Sequence, residues 1–246
     1  MPLQEEFEKT GNWLFRWRSY LPLFLVVLFL ASMNNYHYLG NSKLMDYGWE
    51  AVCLLVCLFG LLIRAITIGH TSANTSGRNT KSQIAEKLNT SGIYSIVRHP
   101  LYLGNFFMML GVAMFSHHAW SVVVFALAFW LYYERIMFAE EAFLRKKFGG
   151  VYVTWTNHTP AFFPRFKHFK RADLPFSFKN VLRREFNGFF AFIMAMFVLE
   201  LYSEWVVNGH FVWHWPWRII VGVGFVTWFL LRALKKKTKL LDVEGR

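Results

Sequence analysis

In the stretch NTSGIYSIVRHPLYLGNFF, residues 89–107, an arginine, a histidine and a proline stand together at the threshold of an apolar run. Pro100 pushes His99 away from helical geometry and itself suits the first turn of a helix. A helix beginning near Leu101 offers unpaired backbone N–H groups and the positive end of its dipole at that threshold. Arg98 adds a planar fork of donors matched to a carboxylate or a phosphate. These residue types describe an anion-binding site at a helix end, where Gly92 and Gly104 let a backbone or ligand come close and Tyr94 and Tyr102 bring rings and hydroxyls. A plainer reading fits the same stretch equally well: Arg98 and His99 mark the end of a membrane helix, as basic residues commonly do.

Two acids change that balance. Glu140 and Glu141 end another apolar run and fall in a region otherwise crowded with lysine and arginine. If the two runs form an antiparallel hairpin, the acids come near Arg98 and His99. One carboxylate then pairs with Arg98, and the other is left for a cationic or hydroxyl-bearing cofactor. The bland alternative is a solvated helix face with pairs such as Glu141 to Arg145.

The elements that must position these groups are membrane helices. Of 246 residues, 55% are hydrophobic, 20% aromatic and only 17% charged, too apolar for an ordinary soluble domain. Six apolar runs, 20–39, 47–68, 101–115, 119–138, 186–207 and 211–234, approach the roughly 20 residues that cross a bilayer core. The third is short and reads as one arm of a tight hairpin turning at His117 and His118. With both termini cytoplasmic, all of the 27 lysines and arginines except Lys43 and Arg218 fall on the inner side. The fold class is therefore all-α, a polytopic membrane protein of about six transmembrane helices. The net charge of +12 is explained by orientation and anionic lipid, and no nucleic-acid partner is implied. Cys53 and Cys57 read as core packing, no metal-ligand spacing occurs, and the acidic start MPLQEEFEK does not resemble a signal peptide. Glu200 and Glu204 are expected to face Arg218 or water, and the loop after 70 to hold at most one short helix near 82–88.

GIYSIVRHPLYLGN followed by EEAFLRKKFGGVYVTW and PAFFPRF resembles the isoprenylcysteine carboxyl methyltransferase and phospholipid methyltransferase superfamily of integral membrane enzymes. Its pattern of Gly-x-Tyr, Arg-His-Pro-x-Tyr-x-Gly and Glu-Glu-x-x-Leu ahead of Phe-Gly-x-x-Tyr is met by Gly92, Tyr94, Arg98, His99, Pro100, Tyr102, Gly104, Glu140, Glu141, Leu144, Phe148, Gly149 and Tyr152. The resemblance covers roughly 47–166. It implies S-adenosylmethionine as methyl donor in a cytoplasm-facing pocket, a lipid or lipidated substrate entering sideways, Tyr94, His99, Tyr102, Gly104 and Glu140 on the cofactor, and Arg98 and Glu141 nearest the reacting group. It departs in two places, with an upstream arginine displaced to Arg135 and Trp155 standing where a tyrosine is expected. The chain then divides into 1–45, a methyltransferase core over 46–172 and a C-terminal helix pair over 173–246, and a chain ending near Ala172 is expected still to bind the cofactor. Sterol-type membrane reductases using NADPH share a similar Arg-His-Pro region but are longer, and a non-enzymatic membrane protein is the remaining alternative.

Overall fold

The computed structural model describes residues 2–18, 20–72, 75 and 84–246, without the side chains of 21–24. Residues 82 and 83 of the expected helix near 82–88 lie outside the described residues, and 84–88 is not helical. The described residues form α1 (Leu3–Trp17), α2 (Leu21–Ser32), α3 (Lys43–Gly69), α4 (Pro100–Met114), α5 (Ala119–Phe148), α6 (Gly150–Thr156), α7 (Phe178–Asn208) and α8 (Trp215–Lys237). Among them there is no strand, only an isolated antiparallel bridge between Gly92 and Lys170.

Proline sets several starts, standing in the first turn of α2, α4 and α8 where its missing N–H costs nothing. Four helices, α3, α5, α7 and α8, are long and apolar enough to cross a membrane. Leu55 and Leu62 on α3, and Val223, Val226 and Phe229 on α8, are more than half exposed, as lipid-facing side chains are. The other two expected spans are shorter. The run 20–39 is helical only over Leu21–Ser32, 12 residues, preceded by α1, an amphipathic helix outside all six apolar runs. At 15 residues α4 reaches about 22 Å, short of a hydrocarbon core of about 30 Å.

Small residues explain where α4 sits instead. A Cβ at Gly104 would stand 2.8 Å from the Gly60 carbonyl oxygen and 2.5 Å from Arg64 Cγ, so the glycine lets α4 lie directly on α3. Cys57, fully buried like Cys53, donates its thiol to the Met108 carbonyl across the same contact, so both cysteines do pack the core. The α4–α5 turn is as tight as expected, with His117 at φ +62°.

Glu200 and Glu204 do not face Arg218 or water. They are buried, and Lys43 Nζ lies 3.0 Å from Glu200, 2.8 Å from Glu204, 3.2 Å from Asp46 and 3.3 Å from Glu50. Arg218 instead donates to the Trp213 carbonyl. One ammonium thus ties the start of α3 to the end of α7, and the Trp217 indole donates to Glu50 from α8. Buried carboxylates need such partners, because desolvation without them costs several kcal/mol per ion.

Candidate active site

The motif residues meet at the opposite end of α3. Gly92, at φ +60° and ψ −133°, adopts a conformation open mainly to glycine and turns the chain into a 3-10 turn, Ile93–Ser95. The segment leading to α4 is then clamped by the loop after α6. Gly92 N–H donates to the Lys170 carbonyl at 2.9 Å, Arg98 N–H to Pro160 at 2.9 Å, His99 N–H to Ala161 at 3.2 Å, and Arg165 N–H to Ile96 at 2.9 Å. Trp155 donates its indole N–H to the Tyr94 carbonyl, 3.1 Å away. The PAFFPRF motif therefore fixes the backbone that carries Arg98 and His99.

His99 ends this segment and Pro100 opens α4. The first-turn N–H groups of Tyr102 and Leu103 fold back onto the His99 carbonyl, each at 3.1 Å. The helix end therefore offers an incoming anion fewer donors than the sequence suggests.

The side chains do converge. Arg98 Nη1 donates to Glu141 Oε2 at 3.0 Å, and Tyr102 Oη donates to Glu140 Oε2 at 2.9 Å. His99 lies between them, its Nε2 2.9 Å from Glu141 Oε1 and its Nδ1 3.6 Å from Glu140 Oε2. Burial pulls the imidazole pKa down. Hydrogen bonds to Glu140 and Glu141 and their charges outweigh it, so the pKa rises above the ordinary histidine value. His99 thus holds its proton between two carboxylates and stacks on Tyr102, with ring centroids 5.6 Å apart. Burial also raises the Tyr94 and Tyr152 phenols, which stay protonated donors.

Tyr94, Arg98, His99, Tyr102 and Glu140 share the wall of one cavity of about 280 Å³, near the lower end of the range for small-molecule sites. Glu141 stands behind this wall and reaches it through Arg98 and His99. Gly104 does not line the cavity either. Its place is the helix contact that brings Arg64 to the wall. Arg135 is turned away onto α1, donating to Thr10 and lying over the Phe7 ring, whereas Trp155 does line the cavity.

The structure adds residues that the motif reading did not name. Arg64 Nε and Nη2 make a two-pronged contact with Glu185 on α7 at 2.6 and 2.9 Å, and Nη1 donates to Asn105 Oδ1 at 2.6 Å. Asn105 in turn donates to Tyr133 Oη at 3.1 Å. Arg64, Asn105 and Tyr133 line the cavity, as do Phe15 and Arg18 from α1 and its end. A signal for Arg64 was present: it is the lone basic residue in the run 47–68, where an ionisable group is expensive and needs a partner.

The wall suits a polar, zwitterionic molecule with an aromatic part. Arg98 Nε and Tyr152 Oη are buried without a hydrogen-bond partner among the described residues, two donors in reach of a ligand. Arginines offer an anion its fork, Glu140 offers a cation its carboxylate, and tyrosine and phenylalanine rings supply stacking surfaces.

Residues 49–150 match the phospholipid methyltransferase family. The chain is similar to the cobalt-zinc-cadmium resistance protein CzcN of Cupriavidus metallidurans, 33% identical over 157 residues, which is 63% of this chain and 67% of that protein. It is similar to the nickel-cobalt-cadmium resistance protein NccN of Alcaligenes xylosoxydans, 30% identical over 131 residues, 53% of this chain and 59% of that one. With a protein-S-isoprenylcysteine O-methyltransferase of Tribolium castaneum it shares 25% identity over 158 residues, 62% of this chain and 51% of that enzyme. The chain thus spans between about half and two thirds of these relatives. No solved structure matches it. An all-helical chain with four membrane-length apolar helices, carrying the Arg-His-Pro and Glu-Glu blocks on adjacent helices inside the matched stretch, belongs to the isoprenylcysteine carboxyl methyltransferase and phospholipid methyltransferase superfamily.

Proposed function

We propose that this chain is an S-adenosylmethionine-dependent methyltransferase acting on a lipid or lipidated acceptor at the cytoplasmic face of a membrane, with both termini on that face and its methyltransferase core over 46–172. The observation that carries the reading is the single cavity shared by Tyr94, Arg98, His99, Tyr102 and Glu140, set between α4 and α5 within the family-matched stretch. The cofactor, when bound, supplies a methyl carbon on a positively charged sulfur, which leaves as a neutral thioether when the acceptor attacks.

The chain's own residues do the rest. Glu140, Tyr102 and Tyr94 hold the donor, with Arg98 at the reacting end. Glu141 fixes the Arg98 fork and, with Glu140, keeps His99 protonated, so the wall is set before the ligand arrives. An anionic acceptor needs orientation and no general base, and the Arg98 guanidinium provides it. An amine acceptor has a proton to lose, and Glu140 is the carboxylate on the wall to take it, with Glu141 reached only through Arg98 and His99. Exclusion of water follows from burial: His99 is 6% exposed and Tyr102 8%.

The test is ligand binding by the purified chain in detergent, comparing S-adenosylmethionine with NADPH. Saturable binding of the former alone is expected. Binding of NADPH alone replaces this reading with a reductase.

A further inference from the structure

The cavity has a wall that the family match does not contain. Helix α1 runs antiparallel along α5: Phe7 packs edge-on against Phe138 with centroids 5.9 Å apart, Arg135 donates to Thr10 at 3.3 Å, and Tyr132 donates to the Leu14 carbonyl at 3.1 Å. Gly11 lies directly on the Arg135 carbonyl, where no side chain fits. The path continues in α2, where Phe29 meets Phe125 at 6.1 Å. Helices α1, ending at Trp17, and α2, beginning at Leu21, therefore follow one path beside α5.

Phe15 and Arg18 are both on the cavity wall, with the Arg18 guanidinium carbon 4.0 Å above the Phe15 ring. On the other side Trp13, Trp17 and Tyr20 are 59%, 44% and 58% exposed, their rings 6.3 and 5.7 Å apart in sequence order. Such a ladder of exposed aromatics is what the boundary between water and lipid favours. A guanidinium faces inward where the outer surface suits lipid.

We infer that Arg18, at the end of α1, is a positioning residue that receives the anionic head, a carboxylate or a phosphate, of a lipid acceptor entering past Trp13, Trp17 and Tyr20. The inference rests on the methyl-transfer reading above. Three arginines line the cavity: Arg64 is held by Glu185 and Asn105, Arg98 by Glu141, and Arg18, over the Phe15 ring, shares the wall with Tyr102, Tyr133 and Glu140. The cofactor carries one carboxylate, so three arginines, with the largely exposed Lys87 at the edge beside Asp173, fit a second anion as well. Arg18 is the arginine that comes from the helix pair carrying the exposed aromatics, outside residues 49–150. Its fork binds a carboxylate or phosphate in two-pronged fashion, which an ammonium does not reproduce.

The experiment uses the full chain in detergent and two readouts, with Arg18→Gln, Arg18→Lys and, as control on the same helix, exposed Arg16→Gln. The first readout is S-adenosylmethionine affinity. The second is binding of radiolabelled S-farnesylcysteine as free acid and as methyl ester, with phosphatidic acid and phosphatidylcholine of identical chains as competitors. The parent and Arg16→Gln should prefer one of the anions, farnesylcysteine acid over its ester or phosphatidic acid over phosphatidylcholine, by roughly ten- to hundredfold, the worth of one charge-assisted hydrogen bond. Which anion is preferred tells a lipidated carboxylate from a phospholipid phosphate. Arg18→Gln should cut the preference about tenfold, with Arg98 keeping its own hold on the anion, and should cost S-adenosylmethionine affinity much less than it costs the preference; Arg18→Lys should keep more of the preference than Arg18→Gln, which also guards against a folding defect in the Gln variant. A parent without preference for either anion overturns the inference, as does a preference that survives both substitutions undiminished. Loss of S-adenosylmethionine affinity in a folded Arg18→Gln chain also overturns it, by moving Arg18 to the cofactor's side. A parent that fails to bind S-adenosylmethionine at all refutes the methyl-transfer reading instead, a different result from a missing anion preference.

Discussion

Glu185→Gln tests how the cavity is built. Arg64 lines the cavity, yet the carboxylate that holds it comes from α7, outside the matched stretch. The two contacts, 2.6 and 2.9 Å, reach a carboxylate only 5% exposed, so water replaces neither when one is lost. Glutamine keeps one acceptor for one prong but turns an N–H₂ toward the other, leaving a donor facing a donor. One charge-assisted bond is lost, about 1.5–3 kcal/mol. Glu185→Ala loses both and leaves a guanidinium buried without its counter-ion, about 3–5 kcal/mol. At roughly 2–4 °C per kcal/mol for a chain of this size, Glu185→Gln should lower the melting temperature by about 3–12 °C. Arg64 freed from its fork also leaves its place on the wall, so S-adenosylmethionine should bind about tenfold more weakly or worse. The assay is a melting curve and a binding isotherm on the same detergent preparation, with exposed Lys179→Gln as control on α7. An Arg64→Gln/Glu185→Gln double variant completes the cycle and isolates the pair. If Glu185→Gln matches the parent in both measurements, the pair does not position the wall. The ion pair also changes the expectation for a chain ending near Ala172. Such a chain loses Glu185 and the bonds from Ser177 and Asn180 to the end of α3, and it should fail to bind the cofactor.

Other expectations are as direct. Arg98→Lys and Glu141→Gln should each insert normally and lose about 10²- to 10³-fold in methyl transfer, whereas Arg145→Gln and Lys146→Gln on the same helix should be nearly silent; equal activity in all four removes Arg98 and Glu141 from the chemistry. His99 binds its proton more tightly folded than unfolded, so its contribution to stability is complete below the unfolded value of about 6.5 and is lost as pH rises through the folded value above it. Melting temperature should therefore fall with rising pH above about 6.5 more steeply in the parent than in His99→Gln, and parallel curves would sink the assignment. Cysteine reporters should be labelled by an impermeant reagent at Asn41 and shielded at Lys170 in intact cells; the fully buried Cys53 and Cys57 give no background, and labelling at Lys170 reverses the proposed orientation.

What the sequence made legible follows the range over which each signal acts. Pro100 at the start of α4, the tight turn at His117 and His118, and the extension of α5 through Glu140 and Glu141 are local, set by one residue or one run, and they appear where the residues put them. Convergence of Arg98, His99, Tyr102, Glu140 and Glu141 needed one further step, the antiparallel hairpin that a short turn between two apolar runs enforces. The start of the chain was less visible, because α1 is amphipathic and hydropathy alone passes over a helix whose apolar stripe packs on α5.

The contacts that escaped are those between single charges far apart in the chain. Arg64 and Glu185 are separated by 121 positions, and Lys43 reaches Glu200 across 157. No periodicity links such residues, and basic residues counted for orientation, Lys43 among them, look like solvated ends. Each nevertheless leaves a trace of the same kind: an ionisable side chain in or beside an apolar run is too costly to stand alone, so it calls for a partner of opposite sign at the same depth on another helix. Applied to Arg64, that rule admits few acids near the inner ends of the apolar runs besides Glu140 and Glu141, and Glu185 stands at the start of the fifth run. Applied to Glu200 and Glu204, it leaves Lys43 and Arg218, and the structure selects Lys43 because its stem reaches into the bundle while Arg218 stays at the start of α8 on the Trp213 carbonyl. Charge complementarity at matched depth thus recovers long-range pairs that motif spacing does not reach, and in this chain one such pair forms part of the cavity wall.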